Sequence, residues 1–141
     1  MHFPIHTLPN ESFPPLLHHI PQPPTQLNYR GNLPPDDMKL LAVVGARKYS
    51  TYGAQVVEHL IGGLRTRNIG IVSGLALGID SLAHEAALGN NLYTLAVPGS
   101  GIDDTVIYPA RHRGLATRIL EHGGGLLSEF DPGFTATKWS F

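Results

Sequence analysis

The sequence contains no cysteine, so disulfide bridges, a thiolate nucleophile and cysteine-ligated zinc are excluded. Charge is scarce too. Only 15% of the 141 residues are Asp, Glu, Lys or Arg, and 10 Lys and Arg against 11 Asp and Glu give a net charge of -1. Such a chain has no general field for nucleic acid, so any nucleic-acid contact must come from a local cluster of cations. No run approaches the roughly 18 consecutive apolar residues of a transmembrane helix. Met1 to Asn10 lacks the basic start and apolar core of a secretory signal. The expectation is a cytoplasmic chain without membrane contact. Apolar residues make up 42%, enough for one packed core.

Glycine and proline divide the chain. Nine of the 12 prolines lie between Pro4 and Pro35, whereas 15 of the 16 glycines lie from Gly45 onward. Dense proline blocks regular helices and central strands. Residues 1–38 are therefore read as an extended, Pro-rich lead-in lying on the surface of a domain over 39–141. A short helical turn is expected around Leu16, Leu17 and Ile20.

From Leu40 onward, strand and helix patterns alternate. Leu40 to Val44 is a continuous apolar run ending at Gly45, the pattern of a strand buried on both faces. Ser50 or Thr51 can cap a helix over 52–67, whose Val56, Val57, Leu60, Ile61 and Leu64 share one face. Residues 69–72, 92–97 and 126–128 read as strands. Residues 80–88 and 111–122 read as helices. Four strands separated by three helices predict a Rossmann-like α/β fold, an open and mainly parallel sheet with flanking helices.

Ligands of such sheets bind at the carboxyl ends of the strands. Four loops converge there: Gly45 to Ser50, Ser73 to Asp80, Pro98 to Asp104, and Ser128 to Phe130. Glycine lets a phosphate approach backbone N–H groups, and helix N-termini add partial positive charge. Gly45, Ser73, Gly74, Gly78, Gly99, Ser100 and Gly101 are thus candidate phosphate contacts, with Arg47 and Lys48 supplying charge. The alternative is that the glycines only let the chain turn. Asp104 occupies the place of the third glycine of G-x-G-x-x-G, and no GxxxxGK[ST] occurs, so neither nucleotide fingerprint is present.

Other candidates are weaker. Arg111, His112, Arg113 and Arg118 cluster at a helix start, where cations oppose the helix dipole; phosphate contact and ordinary solvation compete there. Tyr49, Tyr52 and Tyr108 are candidate base-stacking rings. Asp103 and Asp104 read as turn formers rather than metal ligands. Asp80 reads most simply as a helix cap, alternatively as an orienter of the glycine loop. The 8 histidines form no recognisable ligand spacing, and His84, among alanines on a helix, reads as a packed core residue. No metal, cofactor or catalytic residue is expected.

Taken in order, four motifs are far more specific. They are Val43-Val44-Gly45-Ala46-Arg47; Ser73-Gly74-Leu75-Ala76-Leu77-Gly78-Ile79-Asp80 with Ala83-His84; Gly99-Ser100-Gly101-Ile102-Asp103 with Tyr108-Pro109; and Leu127-Ser128-Glu129-Phe130. With Phe13 to Leu17 and Tyr29 to Leu33 before them, the chain closely resembles the DNA-processing protein A (DprA, or Smf) family over roughly residues 12–141. The resemblance implies single-stranded DNA binding in natural transformation, protection of incoming DNA, and help in loading the RecA recombinase, without enzyme activity. It places Arg47 beside Gly45 in the DNA pocket, with the Ser73–Asp80 and Gly99–Asp103 loops as floor. Tyr108, Arg111, His112, Arg113 and Lys138 are further candidates.

The chain departs from the family twice. His112 stands near a position where the family usually has asparagine. The family also continues beyond Phe141 with a Pro-x-Arg-Asn-Arg segment and later elements that complete the sheet and a homodimer surface. The sequence is accordingly expected to be an incomplete domain. Two alternative readings remain. One is a phosphoribohydrolase-type nucleotide enzyme, although Pro98 to Thr105 lacks the glutamate of P-G-G-x-G-T-x-x-E. The other is a fragment without activity of its own.

Overall fold

Six strands form one sheet in the order β1-β2-β6-β5-β4-β3 in the computed structural model, which describes residues 2–141. The strands are β1 (His6–Leu8), β2 (Leu27–Gly31), β3 (Lys39–Ala42), β4 (Ile69–Ser73), β5 (Thr94–Ala96) and β6 (Gly125–Ser128). Strands β3 to β6 are parallel, and β1 and β2 join antiparallel, with Tyr29 opposite Leu127. Helices α1 (Thr51–Gly62), α2 (Ile79–Gly89) and α3 (Arg113–Glu121) provide the crossovers. The expected Rossmann-like sheet is present.

Strand alternation sorts the core into two sides. Ile71, Ala96 and Leu126 face the helices, packing with Val57, Ile61, Ala83, Leu115 and Ile119. Leu95 and Leu127 face the other way, onto Leu8, Phe13 and Leu27.

The lead-in departs from expectation. It does not merely lie on the surface: it supplies two strands, and β2 is internal to the sheet. The prolines avoid β2, so its N–H groups remain free to pair. Arg30 of β2 is buried. Its guanidinium donates to the carbonyls of Phe3 and Ile102 and to Asp104 at 2.6–2.9 Å. One fork thus ties the chain's start to the loop after β5. The expected helical turn exists as 3₁₀ helix over Pro15–His19.

β3 also departs. Its apolar run suggested burial on both faces, yet it is the sheet's edge and all four of its residues are exposed. α1 stops at Gly62, not 67, because Gly62 and Gly63 have low helix propensity and Thr66 turns left-handed (φ 69°). Ser50 caps this helix as expected, its hydroxyl accepting the Gly53 amide at 3.0 Å.

Candidate nucleic-acid interface

The loops at the carboxyl ends of β3 and β4 are locked together by one carboxylate. Asp80, in the first turn of α2, is buried. Its oxygens accept the amides of Gly74 at 3.0 Å and Gly45 at 3.4 Å. Gly78, and not Asp80, holds the N-cap position. Of the two roles considered for Asp80, orienting the loops is the one observed. Gly78 has φ +83°, and a Cβ there would stand 2.3 Å from the carbonyls of Ala46 and Arg47. Only glycine permits that approach. Ile79 then donates its amide to Ala46 at 3.1 Å.

This interlock changes the phosphate argument. The amides of Gly45 and Gly74 are consumed by Asp80, and that of Gly101 bonds the Phe134 carbonyl at 2.9 Å. Ser73 and Ser100 are buried and donate to the carbonyls of Val43 (2.6 Å) and Gly101 (2.8 Å). These candidates shape the loops from within. A buried carboxylate below them also disfavours phosphate beside Gly45 and Gly74, and exposed side chains are the groups placed to meet an anion there.

Those side chains gather where the end of the chain returns over Gly99. Ser140 donates its hydroxyl to the Gly99 carbonyl at 2.6 Å. The Phe141 ring lies so close that a Cβ on Gly99 would stand 2.7 Å from it. Phe141 meets Tyr108 edge-on at 5.6 Å between centroids. The guanidinium of Arg47 stands 5.9 Å from the Phe141 centroid, within cation–π range. Lys138 sits 4.7 Å over the ring of Trp139, a residue that is 82% exposed. Arg47 thus stands beside the partly exposed rings of Phe141 and Tyr108, and Lys138 beside the exposed Trp139. Lys48 is exposed on the same loop as Arg47.

The remaining basic candidates divide. Arg111 is exposed. His112 donates Nδ1–H to the Leu75 carbonyl at 2.6 Å, bracing the second glycine loop. Arg113 bonds the carbonyls of Thr105 (2.7 Å) and Ile107 (3.3 Å), so it buttresses its own loop. Arg118 is paired with Glu85 of α2. Asp103 is a turn former as expected: the Thr105 hydroxyl and amide hold its carboxyl below the usual range. Tyr52 lies in the first turn of α1, exposed like Tyr49, and neither touches the Phe141 cluster through its ring.

His84 is a packed core residue. It is buried, and its Nδ1 lies 2.7 Å from the Thr94 hydroxyl. Burial, with His112 nearby, lowers its pKa to about 4. Among the described residues no group of His, Asp or Glu could hold a metal ion, and no helix is long and apolar enough to cross a membrane.

With this geometry established, comparison with known proteins is decisive. The family model for DNA recombination-mediator protein A matches residues 5–141. The chain belongs to that family. DNA processing protein DprA of Streptococcus pneumoniae is 40% identical over 142 residues, covering 99% of this chain and 48% of that protein. Protein Smf of Escherichia coli is 42% identical over 127 residues, covering 89% and 33%. Among solved structures, the X-ray structure of the S. pneumoniae protein superposes with a TM-score of 0.83 over 98% of this chain and 47% of that one. The Helicobacter pylori protein, studied for its single-stranded DNA binding mode, superposes with a TM-score of 0.82 at 31% identity, over 99% and 62%. The chain thus spans about half or less of the curated relatives' length.

The stretch Lys138-Trp139-Ser140-Phe141 combines a cation with two aromatic rings, a composition shared with single-strand binders, and the fold brings its Phe141 to Arg47 and Tyr108.

Proposed function

We propose that this chain binds single-stranded DNA at the carboxyl edge of its sheet. Arg47, Lys48 and Lys138 meet phosphates, and Phe141 and Tyr108 offer faces to the bases. The observation that carries this reading is the Arg47–Phe141–Tyr108 cluster, with charge and open aromatic surface side by side above interlocked loops. The H. pylori relative, described by its single-stranded DNA binding mode, supports it. We read the role as binding rather than catalysis, a reading supported by Ser73 and Ser100, whose hydroxyls are tied to carbonyls. On this reading the chain acts in cytoplasmic DNA uptake, protecting an incoming strand and presenting it to a RecA-type recombinase.

Fluorescence anisotropy of labelled oligo-dT across a salt series tests the reading. Binding that weakens with salt and drops in Arg47→Ala is the expected result. Absence of binding by a cooperatively folding chain overturns it.

A further inference from the structure

We propose that His112 is a positioning residue for the nucleic-acid surface: its ring braces the loop after β4 and so sets Arg47 beside the Tyr108–Phe141 pair, without meeting the strand itself. This rests on the reading that Arg47 contacts phosphate. A carbonyl can only accept, so the 2.6 Å contact between His112 Nδ1 and the Leu75 carbonyl puts a proton on Nδ1. The bond is the same whether or not Nε2 also carries a proton. It is a brace and not a titrating contact.

Leu75 needs that brace. Its φ is 63°, a left-handed conformation unfavourable for a residue with a Cβ. The core holds its buried side chain among Ile102, Leu115 and Ile119, while His112 holds its carbonyl. Asp80 takes the preceding amide, that of Gly74, at 3.0 Å. The far end of the same loop leaves no slack, because a Cβ on Gly78 would stand 2.3 Å from the Arg47 carbonyl. A shift of Leu75 is therefore passed through Gly78 to the backbone of Arg47. On its other side, His112 closes a turn by donating its amide to the Pro109 carbonyl at 2.9 Å. Pro109 follows Tyr108, whose amide donates to the Ser100 hydroxyl at 3.2 Å. Tyr108 meets Phe141, and Phe141 meets Arg47. The contacts close a circuit from Arg47 through Gly78, Leu75, His112, Tyr108 and Phe141 back to Arg47. Within it, the His112–Leu75 bond joins the loop after β4 to the loop after β5.

The test is oligo-dT binding by the whole chain across a salt series, with two amide substitutions. Asparagine carries an N–H near the place of Nδ1, whereas glutamine carries it further out, near the place of Nε2. His112→Asn should bind within about twofold of the parent. His112→Gln should bind about tenfold or more weakly. It should also lose about 0.7 from the salt slope, one phosphate contact, as Arg47→Ala does. In an Arg47→Ala background the glutamine substitution should cost less than about twofold, because no guanidinium remains to misplace. Amide NMR spectra of the free chain give a readout without DNA: the Gly78 and Arg47 signals should move in His112→Gln and hold their places in His112→Asn. Circular dichroism and thermal unfolding check that each variant folds. His112→Leu, which fills the space without a donor, replaces the glutamine variant should that one not fold. Equal losses in His112→Asn and His112→Gln overturn the proposal, since His112 would then meet phosphate itself. So do losses that add in the double variant. A folded His112→Gln that is less stable but binds like the parent overturns it as well, leaving the bond a structural one and the DNA-binding reading intact. A parent that binds no DNA overturns that reading, and this proposal with it.

Discussion

The carboxylate of Asp80 accepts the amide of Gly74 at 3.0 Å and, with its other oxygen, that of Gly45 at 3.4 Å. One side chain thereby fixes the loops of two neighbouring strands. A charged acceptor bonded to amides is worth about 1.5–3 kcal/mol. Asp80→Ala leaves both amides without that partner at a site only 7% exposed. We expect a loss of roughly 2–3 kcal/mol in urea unfolding. Asp80→Asn keeps an acceptor oxygen and should lose about half as much. Equal stability of the alanine variant and the parent would show that the carboxylate does not hold the loops.

Arg30 makes a contrasting case. It is 7% exposed and satisfies two carbonyls, while its ionic partner Asp104 is 77% exposed in its side chain. The carbonyls should carry the energy, since an exposed ion pair is worth at most about 1 kcal/mol. Arg30→Lys cannot reproduce the fork and should cost about 2–4 kcal/mol, with Asp104→Asn below about 1 kcal/mol. Thermal unfolding of both variants decides. A larger loss from Asp104→Asn would reverse the assignment.

The parts that sequence made legible are those set by local pattern. Ile71, Ala96 and Leu126 sit in short apolar runs between glycines and helical periods, and each became a core strand residue as read. Ser50 announced its cap. Edge or centre is a different kind of property. Leu40 to Val44 reads like a central strand because nothing within five residues reports how many neighbours a strand has. β2 was hidden for a related reason: surrounding proline masked a stretch whose partner, β6, lies almost a hundred residues later. The role of the glycines is half legible. Their clustering shows that the strand ends carry tight loops, and Asp80 is readable as a helix cap or as an orienter of the glycine loop, but only the fold decides for the second by setting its carboxylate against the amides of Gly45 and Gly74. Phe141 reaches Gly99 and Arg47 through the path of the whole chain, which no local spacing encodes.

His84 predicts a pH dependence. The Thr94 hydroxyl gives its one proton to the Ile71 carbonyl at 2.9 Å, so His84 Nδ1 donates and Nε2 keeps a buried, unpartnered lone pair. Burial, reinforced by His112 and opposed by the Ser73 backbone and then by Glu85, lowers the folded pKa to about 4 from 6.5. Between these values the unfolded chain binds the extra proton, so stability rises with pH. The contribution is complete above about pH 6.5 and is lost as pH falls to about 4, to a limit of roughly 3 kcal/mol. Urea midpoints at pH 7, 5.5 and 4.5 should fall in that order. His84→Gln should flatten the trend, and an unchanged slope would remove His84 as its source.

The proposed DNA surface separates into electrostatic and stacking parts, which salt can tell apart. Each phosphate contact on a single strand contributes about 0.7 to the slope of log affinity against log salt. Arg47→Ala and Lys138→Ala should each lower that slope by about this amount while weakening binding. Phe141→Ala should weaken binding by about 1–3 kcal/mol, the worth of one stacked base, with the slope nearly intact. That variant also removes the ring beside the Arg47 guanidinium and over Gly99, so Phe141→Leu is the necessary companion. Leucine keeps apolar cover on Gly99 but has no π-face. If Leu restores binding, Phe141 acts by holding the loop. If Leu binds as poorly as Ala, and an abasic oligonucleotide no longer distinguishes either from the parent, the ring contacts the bases. A slope change in Phe141→Leu as large as that of Arg47→Ala would instead mean that the aromatic positions the guanidinium and that the surface recognises phosphate alone.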